Sequence, residues 1–290
     1  PREGEGENPP ATATQNLVNS LQTSVPFSKT WRNESGGTIE EDYLGVDVSV
    51  TFELEVREQG DGIWEKASAY FIDYIGDEED DLWEEYAFTQ KLNRPVNQMV
   101  SGAFNDLPTV ITKEGQEEPI SLQYRVVETA VQFGENGTEY TIQIEDETYT
   151  VTKENPPFEP VGPVPTANGN NAHINRLKTT SLTVVKNWKD DNDNFYGTRP
   201  GTNNPNASWE VTFLIQQSTD GKEWTPVKIR NAAGSSSNLT VTLYDGNDKS
   251  RAEKTIYNLP EMTPDGETIQ YRAVELQPGS EAANPQEVPN

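Results

Sequence analysis

The chain has 290 residues, with 22 Lys plus Arg against 48 Asp plus Glu and a formal net charge of −26. So acidic a chain repels nucleic-acid phosphates and anionic lipid surfaces, and we expect neither nucleic acid nor membrane as a partner. It contains no Cys and one His, His173, which excludes disulfides and thiolate metal sites. A Ser/His catalytic triad, a multi-His metal site and a cofactor are not expected either.

The first residues, PREGEGENPPATATQ, are rich in Pro, Gly and Glu and cannot bury enough apolar surface to order by themselves. We therefore interpret residues 1–19 as an N-terminal extension that orders only by docking. Downstream, apolar side chains alternate with polar ones, at Val46, Val48, Val50, Phe52, Leu54 and Val56 and again at Trp209, Val211, Phe213 and Ile215. This period of two, followed by the turn sequences QGDG and STDG, predicts half-buried strands and an all-β sandwich.

Helix signals are weak throughout the chain. The best candidate spans residues 77–88 (DEEDDLWEEYAF), whose acidity fits a solvated loop equally well. Residues 77–85 and 190–194 (DDNDN) could bind a cation weakly, but the second run lacks the EF-hand spacing. Solvated charged loops are the simpler interpretation of both, and we predict no metal site.

A set of short motifs occurs twice in the same order: Asn, Lys-x-Trp, Leu-Pro and Tyr-Arg-x-Val-Glu. The first copy consists of Asn19, Lys29, Trp31, Leu107, Pro108 and Glu128. The second copy consists of Asn175, Lys186, Trp188, Leu259, Pro260 and Glu275. Each motif is weak by itself, because a strand Lys or Glu is usually solvated and an Asn often marks a turn. Their repetition in one order indicates two related units.

This motif set resembles that of the collagen-adhesin B-type (Cna B-type) domains of Gram-positive surface proteins and pilins. The resemblance covers nearly everything from about residue 17 to 278. It implies an all-β chain of two tandem Ig-like β-sandwiches, residues 20–175 and 176–290, with an extended N-terminal strand segment. The second sandwich would lack its own last strand.

In that family a strand Lys becomes bonded to an Asn, with a Glu as proton relay. Carried over, the resemblance makes Lys29, Glu128 and Asn175 an intramolecular triad. Burial among apolar side chains disfavours the Lys ammonium and the Glu carboxylate, so the neutral amine can attack the Asn amide. The Glu would donate to the Asn carbonyl oxygen and pass a proton to the departing ammonia. The crosslink would be autocatalytic, and we expect no enzymatic activity on an outside substrate.

The motif copies are out of phase with the sandwiches. Asn19 has no Lys before it, and the fifteen residues after Glu275 contain no alternating strand. Either the chain is cut from a longer tandem array, or each subunit lends its N-terminal strand to the second sandwich of a neighbour. In the second case Asn19 would bond Lys186 of another subunit, with Glu275 as the relay.

These expectations describe a structural subunit of an extracellular surface fibre or pilus, located at the cell surface, whose partners are identical subunits. The alternative is a stalk or ligand-binding fragment of a multi-domain cell-wall-anchored adhesin. In that case the insert between Trp64 and Leu107 would form the contact surface, and a host or matrix protein would be the partner.

Overall fold

A computed structural model describes residues 22–74, 86–113, 117–145, 148–167, 171–188, 209–231, 234–244 and 251–288. Nearly all of its regular structure is β-strand, which confirms the predicted all-β fold class. The strands surround two separate hydrophobic clusters, and we call the strands around each cluster the first and the second sandwich. The predicted division at residues 175 and 176 falls within the eleventh strand and remains a prediction.

In its described residues the first sandwich contains eleven strands and one short helix, α1 (Ala67–Tyr74). The strands are β1 (Gln22–Arg32), β2 (Val48–Glu58), β3 (Glu65–Lys66), β4 (Thr89–Arg94), β5 (Val100–Pro108), β6 (Val110–Ile111), β7 (Ile120–Phe133), β8 (Glu139–Glu145), β9 (Thr148–Val151), β10 (Phe158–Pro160) and β11 (Ala172–Leu177). One sheet has the order β10-β11-β1-β5, and the other is built on β3-β2-β7-β8-β9, with β4 on β2 and β6 on β7.

The core of this sandwich follows from the period-two pattern of its strands. In β2 every second side chain, from Val48 to Val56, is buried and faces the other sheet. Aromatic side chains complete the contact between the sheets, and Phe27 of β1 lies 4.6 Å from Phe52 of β2 between ring centroids. Strand β11 runs parallel to β1, whereas β5 is antiparallel to it. Strand β1 is therefore paired along both edges.

The second sandwich repeats this plan with fewer strands. They are β12 (Thr179–Asn187), β13 (Glu210–Ser218), β14 (Thr225–Pro226), β15 (Lys228–Arg230), β16 (Ser236–Asn238), β17 (Thr240–Tyr244), β18 (Arg251–Pro260) and β19 (Gln270–Glu275). Its larger sheet has the order β14-β13-β17, with β19 also on β13, and β15 pairs with β16. The sheet opposite contains β12 and β18 alone within the described ranges, so β12 has one unpaired edge there.

The Leu-Pro motifs form the same corner in both sandwiches. Leu107 and Leu259 are fully buried, and the residue before each has a positive φ, 58° at Asp106 and 63° at Asn258. The tyrosine of each Tyr-Arg-x-Val-Glu motif caps the corner. The Tyr124 hydroxyl donates to the Pro108 carbonyl, the Tyr271 hydroxyl donates to the Pro260 carbonyl, and both distances are 2.6 Å. The sequence repeat is therefore a structural repeat.

The two sandwiches meet at one end of the first. Lys178 is the single residue between β11 and β12, so one extended segment leaves the first sandwich and enters the second. Across the junction, Arg230 pairs with the buried Asp42 at 2.8 Å and with Asp47 at 2.6 Å. Asn33, just past the end of β1, donates to Asn258 at 2.9 Å. The end of β1 near Asn33 therefore faces the second sandwich, and Gln22 lies at the far end.

Two local expectations change with the structure. The sequence did not predict the short helix α1, because ASAYFIDY is a short, mostly apolar segment that periodicity alone does not assign. Of the helix candidate at 77–88, residues 77–85 lie outside the described ranges, and Phe88 is a buried non-helical residue. Of the two motif tryptophans, Trp31 is a core residue, whereas Trp188 is only partly buried against its cluster.

Candidate functional site

Lys29 occupies a core position of the first sandwich. On β1 the side chains of Val25, Phe27, Lys29 and Trp31 alternate with more exposed ones and all face the opposite sheet. The Lys29 side chain is 1% exposed. The neighbouring inward positions of β1 are aliphatic or aromatic, so Lys29 lies at a position where the alternating pattern predicts an apolar residue.

Glu128 of β7 meets Lys29 from the opposite sheet. The Lys29 Nζ donates to Glu128 Oε2 at 2.7 Å, and the glutamate side chain is 2% exposed. Within its own sheet Glu128 pairs in register with Phe52 of β2, next to a β-bulge at Thr51 and Phe52. The glutamate that ends the Tyr-Arg-x-Val-Glu motif therefore points its side-chain carboxyl group into the core.

Asn175 completes the triad from β11. Its Nδ2 donates to Glu128 Oε1 at 2.6 Å, and the residue is fully buried. The two oxygens of Glu128 thus connect Lys29 on one side with Asn175 on the other. We expected Glu128 to contact the amide oxygen of Asn175, and the structure has the nitrogen there, with Oδ1 buried and without a hydrogen-bond partner. Half a turn of the amide exchanges the two atoms without changing its shape.

The environment of Lys29 disfavours its charged form. Burial lowers the pKa of Lys29 from 10.5 to about 8, although the charge and hydrogen bond of Glu128 act in the opposite direction. The Nζ also lies 5.0 Å from the centroid of the Trp31 ring. Lowering the pKa towards neutrality makes the nucleophilic amine form accessible, which is what an attack on an amide requires.

Two further polar residues beside Asn175 belong to none of the repeated motifs. Asn171 ties the two sheets together, because it accepts from the Val126 amide at 3.1 Å and donates to the Pro26 carbonyl at 3.2 Å. His173 is the register partner of Lys29 and packs on Phe52, with ring centroids 5.1 Å apart. Burial, and then the Lys29 charge, lower the pKa of His173 to about 3. The spacing of two between Asn171, His173 and Asn175 could have identified all three as inward positions.

The second copy of the motifs forms half of this arrangement. Lys186 Nζ donates to Glu275 Oε2 at 2.8 Å and lies 4.4 Å from the Trp188 ring centroid. The two side chains are 17% and 33% exposed, in contrast to the dry pair in the first sandwich. No strand of the described ranges occupies the place beside β12 that β11 occupies beside β1. Asn19, the predicted third member, lies outside the described residues.

The structure gives no support to a metal site or a membrane span in the described residues. Residues 77–85 and 190–194, considered for weak cation binding, lie outside the described ranges. In the part of the chain that is described, no group of three or more His, Asp or Glu side chains could hold a metal ion. None of the helical structure described there is long and apolar enough to cross a membrane.

Comparison with known proteins gives remote structural likenesses. The chain is similar to the shaft pilin SpaA from Lactobacillus rhamnosus GG, with 13% identity, a TM-score of 0.27, and coverage of 92% of this chain and 94% of that one. It is more weakly similar to the pilus adhesin SpaC of the same organism, with 10% identity, a TM-score of 0.12, and coverage of 91% and 41%. No family model and no curated protein matches the chain. At these TM-scores we carry over no function from either protein.

Proposed function

We propose that the chain is a structural unit of an extracellular surface fibre, held together by a self-formed isopeptide bond between Lys29 and Asn175. The observation that carries the proposal is that Lys29 and Asn175 each form a buried hydrogen bond with one of the two carboxylate oxygens of Glu128. Buried ion pairs stabilise a fold poorly compared with apolar packing. A Lys–Glu–Asn cluster at the centre of a β-sandwich is better explained by chemistry than by stability.

The proposed reaction forms one amide bond between Lys29 and Asn175 and releases one ammonia. Glu128 takes one proton from the Lys29 ammonium through Oε2, and the free Nζ attacks Cγ of Asn175. Glu128 passes that proton through Oε1 to Nδ2, which leaves as ammonia when the Cγ–Nδ2 bond breaks. The carboxylate then takes up the second proton released as the Nζ–Cγ amide forms. The fold holds both reactants against one relay group, so proximity supplies the rate enhancement.

The position of the bond suits a chain under tension. Lys29 lies on β1 and Asn175 on β11, which are neighbouring parallel strands. A force applied between Gln22 and Thr179 would pass along β1 to Lys29, cross the isopeptide bond, and leave through β11. Residues 30–174 would then carry none of the load. Unlike a disulfide, the bond needs no Cys and cannot be reduced, which fits a chain without cysteine.

The described part of the insert between Trp64 and Leu107 gives the alternative, a ligand-binding adhesin fragment, no specific support. Its strands β3 and β4 extend the sheet through β2. Tyr70 and Phe71 of α1 are buried in the core. These residues build the sandwich, and we therefore favour the structural role.

Intact mass followed by peptide mapping tests the proposal. The wild-type chain should be lighter by one ammonia per intramolecular bond, and a branched peptide should contain both Lys29 and Asn175. Glu128→Gln should give the full mass with Lys29 unmodified. Glu65→Gln, which changes an exposed glutamate of β3, should leave the bond intact. An unmodified Lys29 in folded wild-type protein would contradict the proposal.

A further inference from the structure

Among the described strands, the second sandwich has an unfilled strand position. In the first sandwich, β11 covers the edge of β1 and seals Lys29 from water. In the second, β12 pairs only with β18 among the described residues, and Lys186 and Glu275 remain partly exposed. The described residues after Glu275 do not fill this position, since they fold back on the other sheet. There the Leu276 amide donates to the Thr212 carbonyl and the Val288 amide to that of Glu275.

A segment with the features of β11 occurs immediately before β1. In and just before β11 the inward side chains are Asn171, His173, Asn175 and Leu177, within the sequence NAHINRL. Residues 15–21 read QNLVNSL, which places Gln15, Leu17, Asn19 and Leu21 at the same positions. Two amides and a terminal leucine are thus repeated in register. Gln15 has the same side-chain amide group as Asn171, and the amide of Asn171 ties the two sheets of the first sandwich together.

The junction inside the chain shows how such a segment can serve two sandwiches. Strand β11 ends the first sandwich at Leu177, and β12 begins the second at Thr179. In the same way, Leu21 directly precedes β1, which begins at Gln22. A strand over residues 15–21 would therefore end one sandwich just before the chain starts the next.

The chain cannot fill its own open edge with this segment. Gln22 lies at the end of β1 far from the second sandwich, and eleven residues at ~3.3 Å each put it roughly 33 Å from the junction. Only two residues separate Asn19 from Gln22, which is too short a connection to return along β1 and reach Lys186. Residues 15–21 can therefore reach this edge only from a second molecule.

We propose that residues 15–21 of a second copy of this chain dock parallel to β12 and that their Asn19 becomes bonded to Lys186. In the first sandwich Asn175 pairs in register with Trp31, so Asn19 would pair with Trp188. The docked strand would cover the unpaired edge of β12 and exclude water from Lys186 and Glu275. This inference rests on the proposed function, because it assigns the same chemistry to the second copy of the motifs.

The intermolecular step balances as the intramolecular one does. The Nζ of Lys186 attacks Cγ of Asn19, a new amide forms, the Cγ–Nδ2 bond breaks, and one ammonia leaves. Glu275 carries the proton from the amine to the leaving nitrogen. Because donor and acceptor lie at opposite ends of the chain, the association does not close on itself and adds subunits without limit.

Complementation between two variants tests the inference. Asn19→Ala keeps the acceptor Lys186 and Lys186→Ala keeps the donor strand, so each alone should run as a monomer in denaturing electrophoresis after boiling. Their mixture should give a covalent dimer and nothing larger, lighter than the sum of its chains by one further ammonia. Wild type should give a ladder. Asn16→Ala, at a position that would face outward in the docked strand, should give the same ladder.

The Lys29–Asn175 peptide, measured in the same samples, reports whether each variant has folded and separates the two proposals. No dimer from a mixture in which both chains carry this crosslink would overturn the inference and leave the proposed function standing. Absence of both crosslinks from wild type would overturn both. A ladder that persists in Asn19→Ala would overturn the assignment of the donor residue.

Discussion

Lys29 and Glu128 are 99 residues apart in the sequence, and their Nζ and Oε2 atoms lie 2.7 Å apart in a site that is almost completely dry. Lys186 and Glu275, 89 residues apart, make the same contact at 2.8 Å with partly exposed side chains. The two pairs differ because β11 lies beside β1, whereas β12 has one unpaired edge among the described strands. One strand thus decides whether the cluster is closed to water.

Removing the crosslink should weaken the first sandwich. The double variant Lys29→Met/Glu128→Gln leaves neither charge of the buried pair, so its loss of stability reports mainly the missing bond. A tie between residues 29 and 175 closes a long loop, for which the chain-entropy model gives about 5 kcal/mol. Urea denaturation should show a loss of that order, with a shorter protease half-life.

Lys91→Met provides the matched control, because it removes an exposed lysine of β4. Its denaturation midpoint should stay close to that of wild type. If the double variant and Lys91→Met were equally stable and equally resistant to protease, the crosslink would contribute nothing to the fold.

The buried histidine should make the first sandwich sensitive to acid. His173 has a pKa of about 3 in the fold, below its ordinary 6.5, so the unfolded chain binds a proton more readily. Stability associated with the neutral ring is therefore full above about pH 6.5 and decreases as the pH falls towards 3. Between pH 7 and 4.5 this corresponds to about 2–3 kcal/mol.

His173→Leu removes the ionisable group and keeps an apolar side chain at that position. The free energy of unfolding of wild type should fall relative to this variant as the pH is lowered from 7 to 4.5. Measuring the difference between the two chains cancels the titration of the many carboxyl groups. A difference that stays constant over this pH range would contradict the prediction.

The tyrosine corners should contribute equally in the two sandwiches. Tyr124→Phe and Tyr271→Phe each remove one hydroxyl that donates to a proline carbonyl at 2.6 Å. We expect each to cost about 1 kcal/mol, the usual contribution of one such hydrogen bond. Tyr244→Phe, at an exposed position, should be neutral. Thermal midpoints that do not differ among the three variants would show that the corners contribute no stability.

The contact between the sandwiches should depend on Arg230. Arg230→Ala leaves the buried carboxylate of Asp42 without its cation, which commonly costs 3–5 kcal/mol when a buried pair is broken. We expect cleavage by protease at the junction near Lys178 and a broader distance distribution in small-angle X-ray scattering. Arg251→Ala, which removes a surface pair with Glu253, should change neither measurement. Scattering from Arg230→Ala identical to wild type would rule out this role.

The sequence by itself determined the fold class and the repeat, and it supplied the candidate residues of the site. Alternation of apolar and polar residues has a period of two only in strands, and β2 shows it along its whole length. The repeated motifs, through their resemblance to Cna B-type domains, selected Lys29, Glu128 and Asn175 as candidates, and the structure brings these three side chains into contact. The mismatch of phase between the motif copies and the sandwiches likewise follows from the order of the motifs along the chain.

Only the tertiary structure decided which of these polar side chains are buried and which other residues surround them. Burial of Lys29 depends on β11, which approaches from more than 140 residues away in the chain and brings His173 and Asn171 with it. The short helix α1 and the edge of β12 that is unpaired among the described strands also depend on packing between distant segments. A local pattern specifies which way a side chain points along its strand, but exclusion of water requires the neighbouring strand, which the local pattern does not contain.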